Sequence, residues 1–489
     1  MKKKLLFSAI GLFTIGATFA QTSIDALRYS QTGYMGSARA TAMGGSFGAL
    51  GAEISAIGIN PAGLSLYRRS EISISPAVFL RKNATSFFGN TSNDTKYNFN
   101  LGELGLVIAT KPVNADKHGW QSINLSIAYN KLANFSSVSS YSGFNASNSL
   151  LDYFIQSTNA GNGTQPSNLD PFTANLAYQS FLINPIDSAD TTHYYSEIKN
   201  GGVLQRRNVN ANGSIGECLA SMAGNYKDKL YIGASVGYQI LSFSETSSYK
   251  ESDQNDSLSN FNSFVYDQQL TTEGSGVYLR FGMLFKPVEW IKVGGSIQTP
   301  TIFTMSDTYS SNIKSDLDSG GAYDFSAEGA YKYELTTPLR STASIGFLIG
   351  KLGCFNIDYE NVNYSESRFS SASNAFFDTN NDINNTYRSA STLRMGGEYR
   401  WDNLSFRGGY FMSESPFKQG KAQSGYDFSS IGYSAGIGIR DDNYFLDFAF
   451  TNRSTTEYYR NYSLINEEVE GAKTKSNTQH FMMTLGYKF

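Results

Sequence analysis

The chain closes with Gln479-His-Phe-Met-Met-Thr-Leu-Gly-Tyr-Lys-Phe489, "QHFMMTLGYKF". In an extended segment Phe481, Met483, Leu485, Tyr487 and Phe489 fall on one face. His480, Met482, Thr484, Gly486 and Lys488 fall on the other. A period of two marks a β-strand whose faces meet different surroundings. Read backwards with the same template, the sequence predicts strands near 71–80, 101–109, 121–130, 212–222, 230–243, 276–286, 290–298, 340–349, 354–362, 391–400, 403–411, 432–440, 444–452 and 479–489. That makes an even set of fourteen. The faces are clean in places: Ile123, Leu125, Ile127 and Tyr129 alternate with Ser122, Asn124, Ser126 and Ala128. Pro76 has no N–H for the ladder and predicts a bulge or kink in the first strand.

Composition agrees with strands. The chain has 489 residues, with 32 Tyr, 34 Phe and only 17% charged residues. Such a mix suits many strands joined by glycine turns. The net charge of −3 makes no electrostatic case for nucleic acid. Cys218 and Cys354 are too few for a disulfide framework and too isolated for zinc, so each reads as a small buried residue.

The first residues are an address. Lys2-Lys3-Lys4, the apolar run Leu5 to Ile15 and Thr18-Phe19-Ala20 form a secretory signal peptide, 1–20, with cleavage before Gln21. No later stretch stays apolar over the ~18 residues that a spanning helix needs, and mean hydropathy is −0.31. A closed β-barrel crosses a membrane without such a run, because every backbone group is paired inside the sheet.

The connections point the same way. Short ones include Asn225–Lys229, Lys286–Trp290, Arg400–Asn403 and Arg440–Asn443. Long ones cover roughly 131–211, 244–275, 299–339, 363–390, 412–430 and 453–477, rich in Ser, Asn, Asp and Tyr. Short turns on one side and long loops on the other are the periplasmic and extracellular ends of a transmembrane barrel. The expected fold is therefore all-β: a transmembrane antiparallel barrel of about fourteen strands over 70–489. An aromatic-terminated last strand is how bacterial outer-membrane barrels end, so Phe489 is the expected signal to the barrel-assembly machinery. The expected place is the outer membrane of a Gram-negative bacterium, with its lipid as a partner.

Residues 21–69 precede the first strand and contain "SAIGINPAGL", 55–64. They are too short and glycine-rich for a domain. A barrel of this size has a lumen its own side chains cannot fill, so the segment is expected inside, as a plug. Asn60-Pro61 sets a tight turn there.

Residues 36–67, "GSARATAMGGSFGALGAEISAIGINPAGLSLY", resemble the N-terminal hatch of the FadL/TodX family of outer-membrane transporters for hydrophobic compounds. The turn Asn60-Pro61-Ala62 is the most recognisable element, and Phe47 belongs to the same hatch. Thr299-Pro300-Thr301, Thr337-Pro338-Leu339-Arg340 and "LSFRGGYFMSESPF", 404–417, agree. The resemblance spans the whole mature chain. It implies passive transport of a hydrophobic small molecule, a long-chain fatty acid or similar, with hatch movement. It implies capture in a groove between loops 244–275 and 299–339, a lumen site beside the hatch, and lateral exit at a kinked third strand. Here that strand, Trp120 to Phe135, contains neither Gly nor Pro. It implies no enzyme activity and no cofactor.

Apolar loop residues are the candidate ligand contacts: Phe261, Phe264, Val265, Ile302, Phe303, Met305 and Phe325. Other motifs read as structural. Gly44-Gly-Ser-Phe-Gly48 matches the hydrolase elbow but lies in the plug and not between a strand and a helix. Asp378, Asn380 and Asp382 have calcium-loop spacing, but Ile383 and Ser389 stand where a Gly and a Glu are needed. His118, His193 and His480 have no haem or catalytic motif around them, and Arg206-Arg207 reads as a solvated loop patch. The competing function is a FadL-like barrel that binds a protein partner in a secretion machinery of the type IX kind.

Overall fold

The computed structural model describes residues 21–489 except 34–35, 111–118, 197, 199–200, 319–320, 373–374, 422–427 and 466. The expected signal peptide, 1–20, and His118 lie outside the described residues. Fourteen antiparallel strands close into one barrel. They are β1 Glu71–Phe87, β2 Asn90–Thr110, β3 Trp120–Asn134, β4 Val203–Tyr226, β5 Leu230–Ser252, β6 Ser263–Val288 and β7 Ile291–Gln298, then β8 Arg340–Ile349, β9 Gly353–Asn363, β10 Ser389–Trp401, β11 Leu404–Ser413, β12 Ser430–Arg440, β13 Tyr444–Tyr459 and β14 Ala472–Lys488. Each pairs with the next, and β14 returns to β1 with Glu71 opposite Lys488. Closure pairs every barrel strand with two neighbours and so removes the free edges an open sheet would have at its first and last strands.

Alternation sets the two faces. Ile123, Leu125 and Ile127 of β3, and Val277, Leu279, Phe281 and Met283 of β6, point outward and are exposed. Their neighbours Asn124, Ser126, Tyr278 and Arg280 are buried inside. The outward residues make an apolar belt around the barrel, as a lipid-facing wall requires. Trp120, Trp290 and Trp401 all stand at the short-turn end and are exposed, where amphipathic rings favour a membrane interface. Among the described residues no helix is long and apolar enough to cross a membrane. Pro76 sits where the β1–β2 register shifts, as its missing N–H predicts.

The strands run further than the alternation template reached. β1 and β2 continue to a turn at 88–89, so 81–100 is a hairpin. Residues 299–339 are largely a second hairpin, Ile302–Leu317 with Gly321–Thr336, which continues up the flank of β6 after β7 stops. Residues 244–252 and 263–275 belong to β5 and β6. The expected loop pair 244–275 and 299–339 is thus largely one continuous sheet standing above the barrel, not two irregular loops. Polar Ser, Thr and Asn alternate outward there, and such stretches read as loop when the opposite apolar face is ignored.

Between β3 and β4 the chain adds a strand at Ser137–Asn145, then two helices, Leu150–Thr158 and Ala174–Gln179, that form a cap over the long-loop end. Its core joins Leu151, Phe154, Leu176 and Ile183 to Phe261 and Phe264. Cys354 is buried as expected, whereas Cys218 faces out from β4.

Candidate functional site

The plug lies within the wall, fastened on many sides. Thr22 and Asp25 form a capping box that starts α1, Ser23–Ser30. A short helix α2, Ala38–Ala42, starts at Ser37, whose hydroxyl accepts from Ala40 N. Two 3₁₀ turns follow, Ser55–Gly58 and Pro61–Leu66, with Asn60 capping the second. Asn60 Nδ2 donates to Gly48 O at 2.9 Å and to Met283 O of β6 at 3.2 Å. Its Oδ1 accepts from Ala62 N at 3.1 Å. Phe47 N and Gly48 N donate to Asp358 of β9 at 2.9 and 3.0 Å. Asn124 Nδ2 of β3 donates to Leu64 O and Tyr67 O at 2.9 and 3.0 Å. Ser296 Oγ donates to Ile59 O at 2.7 Å and Ser434 Oγ to Ala42 O at 2.8 Å.

A buried ion cluster adds to these bonds. Arg39 Nε meets Glu398 Oε2 at 2.8 Å, and Glu398 also takes Arg407 and Arg400, each at 2.7 Å. Arg407 in turn meets Asp447 at 2.6 Å. Removing one member of such a cluster leaves a buried charge alone, at about 3–5 kcal/mol.

Wall glycines make the seat. A Cβ on Gly233 would lie 2.5 Å from the Pro61 carbonyl, and one on Gly282 2.0 Å from Asn60 Oδ1. Gly396 and Gly409 leave the same room for Met43 and Gly44. These positions were not foreseen. A glycine in a strand pattern signals only a bulge or a close backbone approach, and nothing local says what approaches.

Above this seat α1 packs into an aromatic compartment. Ala26, Leu27 and Tyr29 share one buried cluster with Leu132, Ala133, Phe243, Phe303, Met305 and Tyr333. Tyr29 meets Phe135 and Phe243 edge to face at 6.1 and 6.0 Å. The Arg28 guanidinium lies 4.4 Å above Phe243. The compartment adjoins a break in the wall. The β2–β3 ladder runs only from Thr110↔Ile123 to Glu103↔Asn130. Beyond it β3 shifts register at Leu132, between Lys131 and Ala133, and stays with β4. Among the described residues, β2 from Asn90 to Leu101 keeps backbone pairing with β1 alone. Gly33 N of the plug takes the Leu132 carbonyl at 2.9 Å.

Polar side chains span the gap. Asn134 Nδ2 donates to Asn98 Oδ1 at 3.0 Å, and Lys96 Nζ to Ala211 O at 2.9 Å. Asp94 accepts from Ser140 N at 2.7 Å. Tyr97 and Phe99 stand outward beside it, 71% and 76% exposed. A third strand without Gly or Pro therefore still leaves its neighbour.

The seven candidate ligand residues divide. Phe303 and Met305 face the α1 compartment. Phe261, Phe264 and partly buried Phe325 belong to the cap core. Val265 is half-buried, and Ile302 points outward beside Val277. Phe47 is buried against Met43, Leu50 and Cys354. Ser46 of the elbow-like motif donates to Asn356 O at 2.9 Å, a structural bond. Asp378, Asn380 and Asp382 lie in a helix, Phe377–Thr386, and not in a calcium-type loop. Arg207 is buried over the Tyr459 ring at 4.2 Å, contrary to its reading as solvated.

No protein-family model matches the sequence, and no curated protein matches it. Solved structures do match. A FadL homologue from Pseudomonas aeruginosa aligns with a TM-score of 0.55 at 12% identity, over 93% of this chain and 98% of that one. The P. putida toluene transporter TodX gives 0.56 at 11%, over 94% and 99%. The Ralstonia pickettii toluene transporter TbuX gives 0.51 at 15%, over 93% and 99%. The likeness is one of fold, and it extends over nearly the whole barrel.

Proposed function

We propose that this barrel of the FadL/TodX fold carries hydrophobic small molecules across the outer membrane of a Gram-negative cell without energy input. The observation that carries the reading is the parting of β3 from β2 beside the aromatic compartment of α1. Lipopolysaccharide excludes apolar solutes from the outer leaflet, so such a solute needs a protein path to the lipid interior. Phe303 and Met305 are the expected ligand contacts, with Leu27, Tyr29 and Phe243. The expected cargo is a long-chain fatty acid or a compound of similar apolarity.

Magnitudes favour a sideways exit over hatch displacement. The hatch is held by many buried hydrogen bonds, each about 1 kcal/mol net, and by the Arg39–Glu398 cluster. Pulling it out would break them together. Opening the β2–β3 gap exchanges side-chain contacts such as those of Asn98, Lys96, Asp94 and Asn90 and breaks no backbone ladder. A second reading, docking of a protein partner, draws support from Phe181, Phe377 and Ile465, which are exposed beyond the barrel strands.

The test is uptake by cells with intact lipopolysaccharide that lack their own transporter. Expression of the folded chain should raise labelled oleate uptake several-fold and leave small-sugar entry unchanged. Oleate uptake equal to that of vector controls would refute the transport reading.

A further inference from the structure

The outer wall carries a furrow across β12, β13, β14, β1 and β2. Two rows of outward side chains bank it. Phe450, Phe481, Val78 and Phe99 stand opposite one another in the upper row. Phe448 and Met483 stand opposite one another in the lower row, with Pro76 beside them. Between the rows Ala77 and Ala449 turn inward onto Ala38 and Ala42 of the hatch, so that mostly backbone faces outward there. Pro76 puts a compact ring where a long side chain would stand, and the β1–β14 ladder skips from Ile74↔Leu485 to Ala77↔Met482 around it. The result is an apolar furrow of about 690 Å³, within the ~300–1,000 Å³ of small-ligand clefts.

The strand fixes its height. From Phe489 back to Phe481 the outward series is continuously apolar apart from its alternation. At ~3.4 Å per residue and a tilt of roughly 40°, Phe481 stands ~20 Å above the short-turn end, near the top of an apolar band about 25 Å tall. Outward polar residues, Gln479 and Asn477, take over directly above it. The furrow is therefore at the level of the outer leaflet.

Cations stand over it. On β1 the outward series Val78, Leu80 ends in Lys82, and on β14 the same face reaches Lys475. Both lysines are exposed. Lys82 is opposite Asn477, so Lys475 is its diagonal neighbour, about 7–8 Å away. The acids at the tops of the adjoining strands, Asp94 and Glu457, alternate to the opposite face. The hairpin 302–336 differs, because its outward Lys314 meets Asp324 at 3.1 Å.

We propose that this outer face of β14 and β1 binds lipopolysaccharide of the outer leaflet. Lys82 and Lys475 meet a phosphate of its sugar head, as compact point charges suited to phosphate, and one of its acyl chains lies in the furrow. A neutral lipid would use the furrow and not the lysines. Free phosphate would use the lysines and not the furrow. The site is on the outside of the wall, and it does not depend on what the barrel carries.

Calorimetric titration of the full mature chain in nonionic detergent tests this with hexa-acyl lipid A bearing both phosphates and with the same lipid dephosphorylated. The wild type should bind the phosphorylated lipid about tenfold more tightly. Lys82→Gln/Lys475→Gln should bring that ratio to near one, with heat-modifiable mobility unchanged. Ala435 is outward opposite Phe450 and lines the furrow at its β12 end. Ala435→Phe should weaken both lipids several-fold and keep their ratio. Equal affinities in the wild type, a ratio that survives the lysine substitutions, unchanged binding in Ala435→Phe, or displacement of lipid A by equimolar inorganic phosphate would overturn the site.

Discussion

Asn60 holds three backbone groups with one amide: Gly48 O, Ala62 N and, across the lumen, Met283 O. Ala at this position leaves them buried and unmatched, at about 1–3 kcal/mol for each group left unsatisfied. Asn60→Ala should therefore raise small-ion leakage through planar bilayers while the barrel keeps its heat-modifiable mobility. Unchanged conductance would mean that the other fastenings alone hold the hatch. Gly233→Val tests the same seat from the wall side. Its Cβ would sit 2.5 Å from the Pro61 carbonyl, and overpacking of this kind costs about 1–3 kcal/mol or more. Protease should then cut within 36–67 in the variant and not in the wild type. The Asn60-Pro61 turn was legible in the sequence because its chemistry is local. Gly233 and Gly282 were not, because their reason is a contact from a segment about 170 to 220 residues away in sequence, and only the closed barrel brings the two together.

Strands with one face in lipid could be read from alternation, and the C-terminal ends of β6 and β14 fell within two residues of where that pattern placed them, while their starts lie well before it. The hairpin 302–336 could not, since outside the membrane its outward face is polar and its inward face mixes Phe303, Met305 and Ile313 with Asp307, Ser311 and Ser315. The departure of β3 at Leu132 was hidden for another reason. The bulge has no Gly or Pro, and its freed carbonyl is satisfied by Gly33 of the hatch. The cap offers a prediction at this scale. Glu251 is buried and accepts from Leu150 N, Gln205 Nε2 and Tyr249 OH at 2.9, 3.0 and 2.5 Å, and from the Ser149 hydroxyl. Burial pushes its carboxyl above the usual range. Its contribution to stability is thus full below the unfolded value of about 4.3 and fades as pH rises through the higher folded value. Amide exchange in Leu150–Thr158, corrected for intrinsic rates, should slow as pH falls from about 8 to about 5, and Glu251→Gln should abolish the trend. The same trend in both proteins would assign it elsewhere. At the other end of the barrel Phe489 remains exposed beside Tyr487. Phe489→Ala should lower the folded fraction recovered in outer membranes, and equal recovery would exclude it as an insertion signal.

For the whole molecule, a closed ladder on all sides but one concentrates any opening at the β2–β3 gap. The hatch blocks the axis, the cap covers the long-loop end, and the side chains of Asn98 and Asn134 meet across the gap at 3.0 Å. The most direct measurement uses Asn98→Cys/Asn134→Cys in a Cys218→Ser background, expressed in cells with intact lipopolysaccharide. Labelled oleate uptake should fall to the vector level once the crosslink forms, shown by a mobility shift, and recover on reduction. Uptake that stays high with the crosslink complete would contradict passage between β2 and β3.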